Sequence, residues 1–296
     1  MIFITGATGF IGSRLVKKLA DKDYKLRCFV LKNDKNISLI KDLDVDIAYG
    51  DVLNQKSIEE ALGGISIVVH LAALVGSSNE ELCMKINTEG TRNVIEACKK
   101  KGVKRIIYTT SVAATFKHLA AYGKTKLQAE KMLINSSLDV TLIRPTLVYG
   151  KNGLEFEKVA SFVKKLPIIP MIGSGNALKQ PVYVDDVVSL IANVIKNKDT
   201  TIGKVYPAGG PDVVTFNNFI HMIGEELGRK KPIFHLPKWM CYIMARIFKL
   251  ITKNPPITSE QVSDIDEDAV VDNTDTIIQF NYRPMKLRDG LKISLK

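Results

Sequence analysis

Tyr122 and Lys126 stand four residues apart in the run Tyr122-Gly123-Lys124-Thr125-Lys126, which continues into Leu127-Gln128-Ala129-Glu130. On a helix that spacing puts both side chains on one face, a turn apart. An ammonium beside a phenol favours the phenolate, so Lys126 is expected to draw the Tyr122 pKa down from about 10 toward neutrality. Tyr122 is thereby a candidate general acid or base for a proton on a hydroxyl or carbonyl oxygen. Ser111, just past the apolar stretch Arg105–Thr109, offers a hydroxyl to the same substrate oxygen. Taken alone, a tyrosine and a lysine at this spacing also describe an ordinary solvated helix surface, so their place in the fold must decide.

A second constellation lies at the start of the chain. The apolar run Met1-Ile2-Phe3-Ile4 leads into Thr5-Gly6-Ala7-Thr8-Gly9-Phe10-Ile11-Gly12, which opens the amphipathic segment Ile11–Ala20. Strand, glycine turn and helix in that order build a site for a dinucleotide pyrophosphate, because the helix N-terminus offers unpaired N–H groups and partial positive charge. Gly6 permits the tight turn, Gly9 lets backbone approach phosphate, and Gly12 lets helix and strand pack closely. The spacing is G-x-x-G-x-x-G. The second strand ends Phe29-Val30-Leu31-Lys32-Asn33, with no acid at the place where one would bind a ribose 2′-hydroxyl and select NAD. Lys32 suits a 2′-phosphate, which favours NADP; Asp34, by folding back, would restore NAD.

The elements needed to carry these groups are legible in the hydrophobic pattern. Short Val- and Ile-rich strands are expected at Met1–Ile4, Lys25–Val30, Val45–Tyr49, Ile67–Leu71, Arg105–Thr109 and Val140–Ile143. Helices are expected at Ile11–Ala20, Gln55–Leu62, Glu80–Lys100 and Tyr122–Asn135. Strands apolar on both faces and alternating with helices predict an α/β fold, a Rossmann-type doubly wound parallel sheet whose ligands sit at the carboxyl ends of the strands. After Gly150 prolines cluster and the alternation stops. Residues 1–150 therefore read as a dinucleotide-binding domain and 151–296 as a smaller C-terminal substrate lobe, partly returning to the main sheet, with helices at Asp185–Lys196, Phe216–Leu227 and Lys238–Ile251.

Taken together these runs resemble the extended short-chain dehydrogenase/reductase family, the NAD(P)-dependent epimerase/dehydratase group. The resemblance rests on the glycine turn, Gly50-Asp51-Val52, His70-Leu71-Ala72-Ala73, Asn87-Thr88-Glu89-Gly90-Thr91-Arg92-Asn93, Thr110-Ser111, Tyr122 to Lys126, Arg144-Pro145, Val182-Tyr183-Val184-Asp185-Asp186 and Phe280-Asn281-Tyr282-Arg283-Pro284. It implies a Ser-Tyr-Lys catalytic set: Ser111 orients the substrate oxygen, Tyr122 transfers the proton, and Lys126 holds the nicotinamide ribose and tunes Tyr122. The implied cofactor set is Gly6, Thr8, Gly9, Phe10, Ile11, Gly12, Lys32, Asp51, Val52, Leu71, Ala72, Ala73, Tyr122, Lys126 and Pro145. Substrate contacts are expected from Ser111, Asn87 and Lys179. Duller readings stand beside these: Asp51 as a turn or cap, His70 as a packed strand end, Asn87 as a loop-positioning residue, and Asp185 and Asp186 as helix-starting acids.

The departures from the family pattern bear on substrate. Ser111 is followed by Val112-Ala113-Ala114 with no acid, which disfavours dehydration. Arg144 is followed by Pro145-Thr146-Leu147, without the asparagine common in sugar-nucleotide epimerases; the arginine that usually meets diphosphate before the motif ending in Asp186 is absent, and the nearest basic residue is Lys179, which could meet phosphate as a point charge. These features resemble reductase-like and atypical branches. The expected function is an NAD(P)-dependent oxidoreductase or epimerase acting on a secondary alcohol or ketone, a nucleotide sugar among the options. The competing reading is a non-catalytic NAD(P)-binding assembly or redox-sensing protein.

Composition fits this picture. The chain has 296 residues, 46% hydrophobic and 25% charged, enough for a substantial core. The net charge of +11 is spread along the chain among interleaved acids, so it reads as a solvated surface and not as a nucleic-acid site. Scattered cysteines without a C-x-x-C pair predict reduced core thiols, no metal site and a cytoplasmic protein, and a strand beginning at Met1-Ile2-Phe3 leaves no room for a leader. Lys238–Ile251 mixes apolar and basic residues. Its favoured reading is a lid with the apolar face inward, and peripheral membrane contact is the alternative. A homodimer through Glu80–Lys100 and Tyr122–Asn135 is a further expectation from the family.

Overall fold

The computed structural model describes residues 1–77, 79–252 and 257–296. Its first half is six strands and the helices between them: β1 Ile2–Thr5, α1 Phe10–Ala20, β2 Leu26–Val30, β3 Asp46–Tyr49, α2 Gln55–Ala61, β4 Ile67–His70, α3 Glu80–Cys83, α4 Gly90–Lys101, β5 Arg105–Thr109, α5 Ala121–Ile134 and β6 Asp139–Pro145. A seventh strand, Val205–Ala208, comes from the C-terminal half and joins the edge of β6. The sheet order is Val205–Ala208, β6, β5, β4, β1, β2, β3, with every pairing parallel.

Successive residues of each inner strand serve opposite faces, as the pleat requires. Ile2 and Ile4 join one apolar core with Leu15, Val16 and Leu19 of α1, while Phe3 joins the other with Ile58, Val94 and Ile95. Both faces of the sheet are thus covered. The first core extends into the C-terminal half through the helix Val184–Lys196, which buries Val187, Leu190 and Ile191. The elements expected from the pattern are matched closely in this half, and the later half adds helices Leu154–Lys165, Thr274–Phe280 and Leu287–Ser294 that the pattern did not suggest.

The sheet reverses direction between β1 and β4. From β1 the chain builds outward through β2 and β3, then crosses to the other side for β4, β5 and β6. A crevice opens at such a switch point beyond the carboxyl ends of the strands. Thr5, His70 and Tyr108 are paired in register across β1, β4 and β5, so the glycine turn and the end of β5 lie at one level of the sheet. Two strand spacings separate them, about 10 Å.

Two elements differ from expectation. Glu80–Lys100 is not one continuous helix: a π-helical turn, Met84–Glu89, separates α3 from α4 and carries the buried Asn87. Such turns insert a residue into the helical repeat and re-aim side chains. Lys238–Ile251 is helical as expected, yet its fully buried residues are the small Cys241 and Ala245, and Trp239, Ile243, Ile247, Leu250 and Ile251 are exposed. The inward-lid reading therefore fails for most of its apolar surface. No helix among the described residues is long and apolar enough to cross a membrane.

The glycine turn depends on close backbone contact. Gly6 has φ +67°, and a Cβ there would lie 2.7 Å from the Ala72 amide nitrogen. A Cβ on Gly12 would overlap the Gly6 carbonyl. Gly12→Ala is expected to destabilise the chain by about 1–3 kcal/mol through overpacking. Calorimetry should show a Tm several degrees lower, and an unchanged Tm would contradict the packing.

Candidate active site

The N-terminus of α1 has no side-chain cap and no acid in its first turn. A Cβ on Gly9 would meet only the Gly6 carbonyl oxygen, at 3.1 Å, so open space lies above the turn. Free N–H groups, a positive helix end and room for close approach fit a pyrophosphate. Phe10 and Ile11 enter the site by backbone: the Phe10 ring turns away to pack at Gly150 and Gly153, under the Arg14 guanidinium at 5.1 Å. Thr8 Oγ1 donates to Asp34 Oδ2 at 2.5 Å, while the other Asp34 oxygen accepts from the Asn36 amide. Asp34 has therefore folded back onto the glycine turn. Lys32, expected to face a 2′-phosphate, is exposed. A carboxylate from farther along the loop thus stands beside the glycine turn.

Lys126 is 2% exposed. Its Nζ donates to Tyr108 Oη at 3.1 Å and to the Thr109 carbonyl at 2.9 Å. Burial pushes its pKa down to about 7, against a partial upward pull from Glu130 one helical turn on. Glu130 in turn receives both the Nε and an Nη of Arg144, at 3.2 and 2.7 Å. Forked pairing of this kind fixes the carboxylate geometrically.

From Tyr108 a polar chain crosses the sheet. Thr91 Oγ1 donates to the Asn87 carbonyl at 2.6 Å, so it must accept from His70 Nε2 at 3.0 Å and can accept from the Tyr108 hydroxyl. His70 Nδ1 then accepts from Thr5 Oγ1 at 2.6 Å, and Thr5 Oγ1 accepts from the Ala72 amide at 3.2 Å. This bookkeeping fixes the neutral Nε2–H tautomer. Burial, with Lys126 nearby, holds the imidazole pKa down at about 3. His70 is a packed, fully bonded strand end. The chain joins the lysine on α5 to the loop Leu71-Ala72-Ala73 beside the glycine turn.

Ser111 Oγ accepts from the Ala113 amide at 3.2 Å, capping the short turn Val112–Thr115. The same side chain lies near the Tyr122 phenol. Gly123 lets α5 start directly against this turn, since a Cβ there would lie 2.5 Å from the Ala113 carbonyl oxygen. Ser111, Tyr122 and Lys126 are thus gathered at the carboxyl end of β5. The expected acidic phenol is corrected: burial pushes the Tyr122 pKa up to about 12, with Ser111 pulling the other way. Lys126 Nζ is 5.9 Å from the Tyr122 ring centroid and engaged with Tyr108. Desolvation outweighs the opposing effect of Ser111, and Tyr122 rests protonated. At the same strand end the buried hydroxyls of Thr109 and Thr110 have no partner among the described residues.

The other expected residues divide. Asn87 is 1% exposed; Oδ1 accepts from the Leu74 amide, and Nδ2 donates to the Leu74 carbonyl and Thr125 Oγ1. It ties the loop after β4 to α5, the positioning alternative, and has no free group for substrate. Lys179 is also engaged, Nζ donating to the Ile265 and Glu267 carbonyls at 3.0 and 2.6 Å. Asp51 caps its own turn through the Leu53 amide, and Val52 packs at Gly90. Pro145 ends β6 opposite Ala208. Asp185 pairs with Arg14 at 3.3 Å, and Asp186 accepts from the Met285 amide at 2.8 Å, both in the first turn of Val184–Lys196. Sequence reasoning missed Tyr108, Thr91 and Glu130, whose roles arise from contacts between strands and helices; Glu130, a turn beyond Lys126, was the one with a readable spacing.

Residues 3–237 match the 3-beta hydroxysteroid dehydrogenase/isomerase family. The chain is 31% identical over 279 residues to an N-acetyl-alpha-D-glucosaminyl-diphospho-ditrans,octacis-undecaprenol 4-epimerase of Escherichia coli O157:H7, covering 85% of this chain and 80% of that one. It is 26% identical over 274 residues to a decarboxylating sterol-4-alpha-carboxylate 3-dehydrogenase of Mus musculus, covering 84% and 74%. A solved UDP-glucuronic acid 4-epimerase from Bacillus cereus, in complex with UDP-glucuronic acid and NAD, superposes with a TM-score of 0.79 at 21% identity, covering 99% of this chain and 97% of that one.

The buried lysine has a consequence for stability. Its pKa is about 7 folded against an ordinary 10.5, so between those values the unfolded chain binds more protons than the folded one. Lys126 therefore makes stability rise with pH from about 7 to 10. The rise is lost above the unfolded lysine value, where the raised Tyr122 pKa makes the unfolded phenol ionise first. Urea unfolding at about pH 7, 8 and 9 should show the increase, and Lys126→Met should flatten it. A variant with the wild-type slope would contradict this.

Proposed function

The chain belongs to the 3-beta hydroxysteroid dehydrogenase/isomerase family, within the extended short-chain dehydrogenases/reductases, and on that footing we propose that it is an NAD-dependent oxidoreductase acting at a secondary alcohol or ketone carbon. The observation that carries this reading is that Ser111 lies beside the Tyr122 phenol and close to buried Lys126, at the same level of the sheet as the glycine turn.

Gly6, Gly9 and the N-terminus of α1 would hold the pyrophosphate, Asp34 the adenosine ribose, and the loop Leu71-Ala72-Ala73 the path between the two ends. NAD, when bound, supplies the hydride acceptor or donor. Asp34 favours NAD over NADP, since a carboxylate accepts from a ribose 2′-hydroxyl and repels a 2′-phosphate. This replaces the preference for NADP drawn from Lys32.

Ser111 donates to the substrate oxygen and holds it at Tyr122. In the reducing direction Tyr122 gives its phenolic proton to that oxygen as negative charge develops there. A phenol held near pKa 12 is suited to this, because it is protonated at rest yet far more acidic than the alcohol it forms. Once the product oxygen carries the proton, Ser111 is free to turn its single hydroxyl hydrogen toward the phenolate left behind. Lys126 supports the site through Tyr108 and Thr109, holding α5 against β5. In the oxidising direction the same groups act in reverse order.

The substrate class follows from what the site withholds. Ser111 is followed by apolar Val112-Ala113-Ala114, all buried, so no acid is there to drive elimination. Lys179 is held by two carbonyls and offers no ready grip on a nucleotide diphosphate. A hydroxyl or ketone on a ring borne by a bulky apolar group suits this wall better than a nucleotide sugar. The names of the undecaprenol-linked epimerase and the sterol dehydrogenase among its relatives support that reading.

Tyr122→Phe should lower kcat by about 100-fold or more while the NAD dissociation constant stays within a few-fold, measured on a panel of sterol and lipid-linked sugar alcohols. Retained turnover would remove the assignment. Asp34→Asn should narrow the preference for NAD over NADP by about tenfold in titration calorimetry, roughly the 1.4 kcal/mol of one lost charged contact. No change in that ratio would place selection elsewhere.

A further inference from the structure

The helix Lys238–Ile251 is apolar on two opposite sides. Cys241 and Ala245 are buried at 0% and 2% exposure. On the other side Trp239 is 67%, Leu250 88% and Ile251 74% exposed, with Ile243 and Ile247 between them. At about 100° per residue these five side chains occupy an arc of roughly 120°, centred opposite the buried pair. An exposed stripe of this size, about 20 Å long, marks a surface that meets another apolar phase.

We propose that this face docks the protein on an anionic lipid bilayer. The charge around it selects that occupant. The helix contains three basic residues and no acidic one. Arg246, at the edge of the arc, is exposed. A second copy across a two-fold axis would bring these like charges together, whereas anionic headgroups complement them. Tryptophan at one end and Ile and Leu along the face match a helix lying in the headgroup boundary, with its inner side held by protein instead of water.

The helix is also tied to the catalytic cleft. Lys238 pairs with Asp266 at 3.0 Å, and the neighbouring Glu267 accepts from the His118 amide and pairs with its ring at 2.9 Å. His118 lies in the loop that precedes Tyr122. A docked helix would hold that loop at the membrane surface. The inference is independent of the reaction assigned to the cleft.

Trp239 is the single tryptophan of the chain, so its fluorescence reports on this face alone. The full chain should float with phosphatidylcholine vesicles containing about a third phosphatidylglycerol, with a blue shift of the emission, and with quenching by brominated acyl chains. Binding should weaken at high salt and with pure phosphatidylcholine. The double variant Ile243→Glu with Ile247→Glu should lose at least about tenfold in vesicle affinity while keeping the wild-type Tm and NAD binding. If that variant fails to fold, the brominated-lipid quenching of wild type still decides. Tyr122→Phe should float as wild type does, which keeps failure of this inference separate from failure of the catalytic one. Absence of flotation, absence of quenching, or a vesicle-free dimer in light scattering that already shows the blue-shifted emission and is broken by the double variant would each overturn the proposal.

Discussion

An ammonium buried beneath the site organises this protein. Taking a lysine out of water has an effective cost of several kcal/mol unless acceptors surround it. Lys126 finds them in Tyr108 and the Thr109 carbonyl, with Glu130 close behind. The neighbours are themselves fixed: Glu130 by Arg144, Tyr108 by stacking on His70, and His70 by Thr91 and Thr5. A network of this kind is worth having only when every member is bonded. Its satisfaction locks α5, β4, β5 and the π-helical turn to one another, and Tyr122 rides on the first turn of α5.

That locking explains why the phenol and the lysine play different parts. Residues sharing a helix face need not touch. Lys126 leans across to β5, and Tyr122 lies beside Ser111, so burial and not the ammonium governs the phenol. The resulting Tyr122 is a resting acid. The glycine turn enters the same system from the other side, because Thr5 bonds both His70 and the Ala72 amide. The glycine turn and the carboxyl end of β5 are therefore braced by one polar chain.

The C-terminal half closes over the strand ends through polar ties of long sequence separation. Gln180 donates to the Gly210 carbonyl and accepts from the Val271 amide, Asn273 bridges to Gly209, and Asp186 and Asp212 hold the amides of Met285 and Leu287. Lys179 belongs to this system, holding the segment that carries Glu267. Its charge is committed to backbone carbonyls, which is why a lysine at a position suited to phosphate has a structural part here.

The sequence by itself determined the parallel sheet, the glycine turn and the grouping of Ser111, Tyr122 and Lys126 near one strand end, because these follow from local periodicity, from glycine positions and from the order of elements. Strands such as Ile67–His70 and Arg105–Thr109 were readable since a strand buried on both faces must be apolar throughout. What only the tertiary structure decided is which polar groups meet. Asp34 returns to Thr8, Asn87 reaches Leu74 through a widened helical turn, and the helix Lys238–Ile251 turns its small residues inward. Each outcome depends on the competition between desolvation and the acceptors that distant segments bring, and spacing along a chain carries no record of that competition.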